Sequence, residues 1–395
     1  MNTKQKVLLI TSRFPYPPIG GDKLKNFNLI KILSKHYEVH LVSLIDRDIK
    51  DEDIQFCKRY CKSYKIFKKT KFQSMFNLLK SLYNGKPLQV NYYYFKDVQE
   101  YVNNISKDMD CIIATLIRTS EYAFDIDKPK ILDMADSLAI NYKRSLPRVK
   151  SLLWKSIYMF ESNRLAKFEK YIINKFDIAF LFNKEEIKQF NISDKIKFIP
   201  HGVNENLLTY EKVEDKYKNY VVFFGKMDYQ PNIDAVLWFM ENVLEKLNKN
   251  IKFLIVGANP TKKILKYASK YRNVEVTGFV DDPYKILKSC MCIVAPMQTG
   301  AGIQNKILET MALGTINIVS NLAATPIGAK DGKDFIVLDD PIKIAKTIND
   351  IFENREKYEF YKKNSREFIK NNFTWPIYEN IYINTIEEII NDNKK

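Results

Sequence analysis

Along the chain, short apolar runs alternate with helix-length stretches that carry one apolar and one polar face. This is the pattern of β-α units feeding parallel sheets, so the fold class is α/β. The runs at 7–11, 39–45, 64–67, 111–115, 130–134, 178–182 and 197–200 are predicted strands of a first sheet. Those at 221–224, 251–256, 274–277, 292–296, 316–320 and 335–338 are predicted strands of a second. Between the two groups, residues 204–219 are polar and lack a periodic apolar face, which makes them the linker candidate and puts a domain boundary near residue 215. After Pro341 the pattern turns helical. Phe373-Thr374-Trp375-Pro376 interrupts it before a last amphipathic stretch, 377–391, which is expected to cross back onto the first domain.

Composition narrows the class. A chain of 395 residues is long enough for two domains with their own cores, and 46% hydrophobic and 28% charged content is that of a folded globular protein. The first apolar run, residues 7–10, is too short for a signal-peptide core or a membrane span, so the expected location is the cytoplasm. Five cysteines (Cys57, Cys61, Cys111, Cys290, Cys292) lie in apolar or helical patterns and read as reduced core residues. With only His36, His40 and His201, no His/Cys set has zinc-ligand spacing, and no metal is expected.

Charge is distributed unevenly. Residues 1–200 hold 36 Lys/Arg against 22 Asp/Glu, whereas the remainder holds 27 against 25. From Lys58 to Lys80 there are eight basic residues and no acidic one, interleaved with Tyr, Phe and Leu. That mixture suits contact with an anionic membrane surface, and the competing reading is a solvated helix face. No nucleic-acid-binding motif surrounds it.

Three strand-to-helix turns carry candidate chemistry. The first strand runs into Arg13 and then Gly20-Gly21 before a helical pattern begins near Leu24; a glycine pair there lets backbone N–H groups approach a phosphate, although such pairs also serve as plain turns. In the second half, a strand ends in Gly225-Lys226, and a lysine at that end of an open α/β sheet faces the crevice where ligands bind. The richest segment follows Pro296: Gly300-Ala301-Gly302-Ile303-Gln304-Asn305-Lys306 and then Glu309. A helix predicted to start near Ile303 places Lys306 in its first turn with Glu309 three residues on, on the same face. Loop amides and an ammonium would meet phosphates while a carboxylate holds hydroxyls, as a ribosyl diphosphate requires. Asp136, after the strand at 130–134, is a fourth candidate, for a sugar hydroxyl or as a helix cap. Asp-x-Asp pairs such as Asp46/Asp48 and Asp108/Asp110 recur too often to mark a site.

Taken together, these segments resemble the GT-B glycosyltransferases, in particular glycosyltransferase family 4 and its bacterial polysaccharide sugar transferases. The likeness rests on Arg13-x-Pro15-x-Pro17 to Gly20-Gly21, Gly225-x-Met227 to Pro231-Asn232, Gly278-x-Val280-x-Asp282, the 300–314 segment with Leu308-Glu309-x-Met311-Ala312, and the Trp375 region, all in family order. It implies two Rossmann-like domains facing across a cleft. Residues 1–215 would bind the acceptor, 216–375 the donor, and 376–395 would form the returning helix. It also implies transfer, with retention, from a nucleotide-sugar, usually linked to uridine diphosphate, to a glycan or lipid-linked glycan, without an essential metal. Carried over, Gly20 and Gly21 would approach the donor phosphates. Lys226 and Lys306 would neutralise them, with Gly225 beside them. Glu309 would hold the ribose, Gly278-Phe279-Val280 would seat the base, and Gly300, Ala301, Gly302, Ile303 and Gln304 would line the donor. Asp136 would contact the sugar or acceptor.

Two departures mark this sequence. Ala301 stands where family members commonly have a glutamate for the donor sugar, and only Lys226 stands where an Arg and a following Lys are usual. A nucleotide-sugar epimerase of the same fold and a non-catalytic nucleotide-sugar-binding protein are the alternative readings.

Overall fold

The computed structural model describes residues 4–149, 151–190, 194–300 and 302–393. The chain divides into two compact units, Met1–Pro200 together with Pro376–Lys395, and His201–Trp375.

The first unit is built on a seven-stranded sheet: β1 (Lys6–Thr11), β2 (Glu38–Ile45), β3 (Ser63–Lys68), β4 (Cys111–Thr115), β5 (Lys130–Ala135), β6 (Ile178–Leu181) and β7 (Ile196–Phe198). Their order is β3-β2-β1-β4-β5-β6-β7, all pairs parallel, with Val7 aligned to Val39 on one side and Cys111 on the other. The second unit carries β8 (Tyr220–Phe224), β9 (Lys252–Val256), β10 (Val274–Gly278), β11 (Cys292–Ala295), β12 (Asn317–Val319) and β13 (Ile336–Val337), ordered β10-β9-β8-β11-β12-β13 and again parallel. Helices cover both faces, which is why central strands such as Cys-Ile-Ile-Ala-Thr in β4 are buried throughout rather than alternating. Every apolar run assigned to a strand from the pattern is one.

Each sheet reverses its order once, between β1 and β4 and between β8 and β11. At such a switch point neighbouring connections leave in opposite directions and open a crevice at the carboxyl ends of the strands, where ligands of this architecture bind.

The division falls after Pro200 rather than near residue 215. Residues 204–219 are mostly exposed, but they belong to the second unit and are anchored on it rather than spanning a gap. Leu207 is buried, the Tyr210 hydroxyl donates to Asp282 (2.6 Å), and the Glu214 amide donates to Ser289 (2.7 Å). The last helix, Trp375–Asp392, starts two residues before the predicted 377, and from Pro376 onward it belongs to the first unit. Its Tyr378 and Tyr382 hydroxyls reach Asp133 at the end of β5 (3.3 and 3.4 Å), and Asp133 pairs with Lys25 at 2.8 Å, all four fully buried. Where the chain enters and leaves the second unit, Val203 bridges Thr374 and the Val203 amide donates to Phe373 (2.8 Å). Gly202 lies so close to the Trp375 ring that a Cβ would sit 2.2 Å from it.

Candidate functional site

The second unit's switch point gathers the richest chemistry. β8 ends in Gly225 (φ 154°) and β9 in Gly257 (φ 150°). A Cβ on Gly257 would lie 1.7 Å from the Gly225 carbonyl oxygen, so the two strand ends come together only as glycines. A Cβ on Gly225 would in turn lie 2.7 Å from the Asn232 amide nitrogen. Asn232, buried in the first turn of the helix Gln230–Asn242, donates to the Lys226 carbonyl (2.8 Å) and offers its Oδ1 to the Lys306 ammonium.

Lys306 enters from the other side of the switch. β11 ends at Ala295, the loop turns through Gly300 (φ 117°) and Gly302 (φ 69°), and the helix Asn305–Ala312 begins after Gln304 at its N-cap. Ile303 lies before this helix, packed against the core, rather than within it. The Lys306 ammonium sits 3.2 Å from the Met297 sulfur and 4.6 Å over the Phe223 ring. Burial among these groups lowers its pKa to about 7. One helical turn on, burial raises the Glu309 carboxyl to about 7, and the Tyr284 hydroxyl donates to it at 3.5 Å. Lys306 and Glu309 form no ion pair among the described residues. A cation and a carboxyl are therefore both desolvated without a charge to balance them, the arrangement of a site that awaits a charged ligand.

The other expected donor residues are placed differently. Lys226 is exposed and pairs with Asp228 at 3.2 Å, because the Gly225 turn sends its side chain outward while its carbonyl is held inside by Asn232. Gly278 takes a left-handed φ of 69° at the end of β10; Phe279 beyond it is 75% exposed, and Val280 folds back against the core. Ala301 lies outside the described residues.

In the first unit, Gly20 (φ 101°) and Gly21 stand exposed at the start of the helix Gly21–His36. A Cβ on Gly21 would meet no atom within 4 Å, so the backbone is open to approach, but Asp22 occupies the first turn and holds Arg13 at 3.4 Å. Asp136 follows Ala135, which is forced to φ 64° at the end of β5. The capping alternative for Asp136 fails, since Ser137 accepts from the Ile140 amide (3.2 Å) and caps the helix Leu138–Ser145. Asp136 Oδ1 is buried without a hydrogen-bond partner, and burial, reinforced by Glu186, raises its carboxyl to about 7.

Asn232, Tyr284 and Met297 were not anticipated as site residues. Asn232 stood in the Pro231-Asn232 signature without a role; nothing in the spacing of Tyr284 or Met297 points to Glu309 or Lys306.

The profile of the family described as "Glycosyl transferases group 1" matches residues 218–354. An uncharacterized 44.6 kDa protein in the cps region of Klebsiella pneumoniae is 24% identical over 390 residues, covering 93% of this chain and 96% of that one. A crystal structure of Anabaena Alr3699/HepE in complex with UDP superposes with a TM-score of 0.65 at 13% identity, covering 96% of this chain and 99% of that one. Sucrose-phosphate synthase from Thermosynechococcus elongatus superposes with a TM-score of 0.66 at 14% identity, covering 98% of this chain and all (100%) of that one.

Proposed function

From the premise that the chain is a GT-B glycosyltransferase carrying a glycosyl transferases group 1 domain, we propose that it builds a bacterial surface polysaccharide, moving a sugar from a UDP-sugar to a glycan or lipid-linked glycan. The observation that carries the donor assignment is the pair Lys306 and Glu309, desolvated one turn apart at the switch point with no ion pair to either among the described residues. A nucleoside diphosphate supplies what both lack: phosphate oxygens for the ammonium and ribose hydroxyls for the carboxyl.

In this reading Lys306 neutralises the diphosphate as it departs and gains charge, the amides of the Gly300–Gly302 loop assist, and Asn232 holds the ammonium in position. Lys226, at the solvent side, joins only by leaving Asp228. The base would rest beside Gly278, Phe279 and Val280. Transfer would proceed with retention, the leaving phosphate taking the acceptor's proton, and without a metal, so chelation by EDTA should leave turnover unchanged. In the first unit, the exposed backbone at Gly20 and Gly21 would approach a phosphate, and Asp136, with one buried oxygen lacking a partner, is suited to a sugar hydroxyl.

Peripheral membrane contact through residues 58–80 belongs to the same proposal. Among the described residues no helix is long and apolar enough to cross a membrane. The helix Lys71–Leu78 and the turn Ser81–Asn84 instead leave Phe72, Met75, Phe76 and Leu82 61–85% exposed beside lysines.

The test is a thermal-shift panel of nucleotide sugars on the wild type, Lys306→Ala and Glu309→Ala. At least one UDP-sugar should stabilise the wild type, and both substitutions should weaken that shift. Equal shifts in all three proteins would refute the assignment.

A further inference from the structure

A cavity of about 360 Å³ opens in the first unit where β1 and β2 end. Its lining includes five basic side chains, Arg13, Lys23, Arg47, Lys69 and Lys71, against the single carboxylate of Asp46. Three of the five are already engaged from outside the cavity: Arg47 is gripped by Asp53 through two bonds (2.6 and 2.8 Å), Lys69 by Asp97 (2.6 Å), and Arg13 by Asp22 (3.4 Å). Lys23 and Lys71 have no acidic partner among the described residues. The cavity is thus a preformed cationic bowl with two uncommitted ammonium groups, the chemistry of a site for a multiply charged anion such as a diphosphate.

The wall that supplies Lys71 says what that anion is attached to. The helix Lys71–Leu78 turns Lys71 and the buried Ser74 toward the cavity. Its other face carries Phe72, Met75 and Phe76, and Leu79 and Leu82 continue it, all 54–85% exposed. An apolar face of this extent directed at water, on the back of a helix whose polar face lines a cationic cavity, fits a ligand with a charged head and a long apolar tail. No acidic residue lies between Asp53 and Asp97 to oppose it. A second acid-free segment, from Asp136 to Glu161, exposes Leu152, Leu153 and Trp154 at the start of the helix Leu152–Ile173. Glu161 of that helix accepts from the Leu88 amide (2.7 Å), tying it to the same part of the unit.

We propose that this cavity holds the diphosphate of a lipid-linked acceptor, with the lipid leaving over the apolar face of Lys71–Leu78 and Ser81–Asn84. The inference rests on the glycosyltransferase reading and deepens it by naming its acceptor class.

The experiment titrates the full chain with farnesyl diphosphate in detergent micelles and, separately, with inorganic pyrophosphate, and records the UDP thermal shift of every protein as a control for folding and donor binding. Wild type should bind farnesyl diphosphate about tenfold or more tighter than pyrophosphate. Lys23→Ala with Lys71→Ala should weaken both by about tenfold or more, the scale of charge-assisted hydrogen bonds. Phe72→Ser with Phe76→Ser should weaken farnesyl diphosphate alone. The UDP shift should survive in both double variants. Binding of both probes unchanged by Lys23→Ala with Lys71→Ala, or no binding of either to wild type, overturns the proposal. Equal affinity for the two probes overturns its lipid part and leaves a site for free diphosphate. Loss of the UDP shift on removing Lys23 and Lys71 reassigns the cavity to the donor and also overturns it. Absence of a UDP shift from wild type, with the farnesyl diphosphate pattern intact, counts against the donor assignment only.

Discussion

Replacing Lys306 with Met removes a charge while keeping most of the volume that packs against Phe223 and Met297. Donor binding should then lose one charge-assisted contact to phosphate, about 1.5–3 kcal/mol, or roughly ten- to a hundredfold in Kd. The pH dependence is the sharper signature. Burial holds the free ammonium near a pKa of about 7, so only about half of the molecules carry the charge at neutral pH. A bound diphosphate favours the charged form and raises that pKa, so binding takes up a proton, and affinity must fall as pH rises above 7. If the cationic form alone binds, the loss between pH 7 and 8.5 is roughly fifteenfold. Glu309, raised to about 7, goes from about half ionised at pH 7 to almost fully ionised at pH 8.5, so if the carboxylate holds the ribose it offsets that loss by about twofold and leaves a net fall of roughly eightfold. Isothermal titration of a UDP-sugar at several pH values measures both effects, a nucleotide-sugar being preferable to UDP because its diphosphate has no proton to lose in this range. Lys306→Met should bind more weakly and without the slope. Folding responds in the opposite direction: with its pKa depressed from 10.5, Lys306 binds fewer protons folded than unfolded between about 7 and 10.5, so its contribution to stability improves as pH rises there. A wild-type affinity that stays flat from pH 7 to 8.5, or a variant with unchanged affinity, would refute the reasoning.

Glu309→Gln should retain the Tyr284 hydrogen bond yet weaken a UDP-sugar more than it weakens a diphosphate lacking ribose, which competition titrations would separate. Asp133→Ala strands the Lys25 ammonium in the core and should cost about 3–5 kcal/mol in urea unfolding, whereas Lys25→Met with Asp133→Leu should cost markedly less, because no buried charge is left alone. Gly257→Ala drives a methyl into the Gly225 carbonyl at a φ of 150° and should cost about 2–5 kcal/mol through overlap and backbone strain; a melting temperature equal to wild type would show that the strand ends can part.

The strands were legible in the sequence because parallel sheets covered on both faces leave unbroken apolar runs such as Val221 to Phe223. The Gly300 to Glu309 turn was legible because amides, ammonium and carboxyl fall within a few residues of one another. What escaped were contacts made through space by residues far apart in the chain. Asn232 meets Lys306 across the switch point, and Lys23 and Lys71 line one cavity that only the order of the sheet creates. Lys226 and Lys306 looked alike as residue types, yet one is solvated beside Asp228 and the other desolvated, a difference set by a single glycine turn. Polarity likewise misled at residues 204–219, where a largely solvated segment is pinned to the second unit by a few contacts, among them buried Leu207 and the Tyr210 bond to Asp282.

The buried tyrosines of the last helix bear on the order in which the protein forms. Asp133 and Tyr378 are separated by 245 positions, and the whole of His201–Trp375 lies between them. A ribosome releases the first two hundred residues long before that helix exists, so the nascent first unit holds Lys25 and Asp133 without their two hydroxyl partners. Gathering the ends across a disordered stretch of that length carries a large entropic cost, which falls once the intervening unit has folded and brought Val203 against Thr374. The second unit therefore acts during synthesis as the clasp that delivers the final helix, and truncation anywhere within it should leave the amino-terminal half soluble only with the help of chaperones.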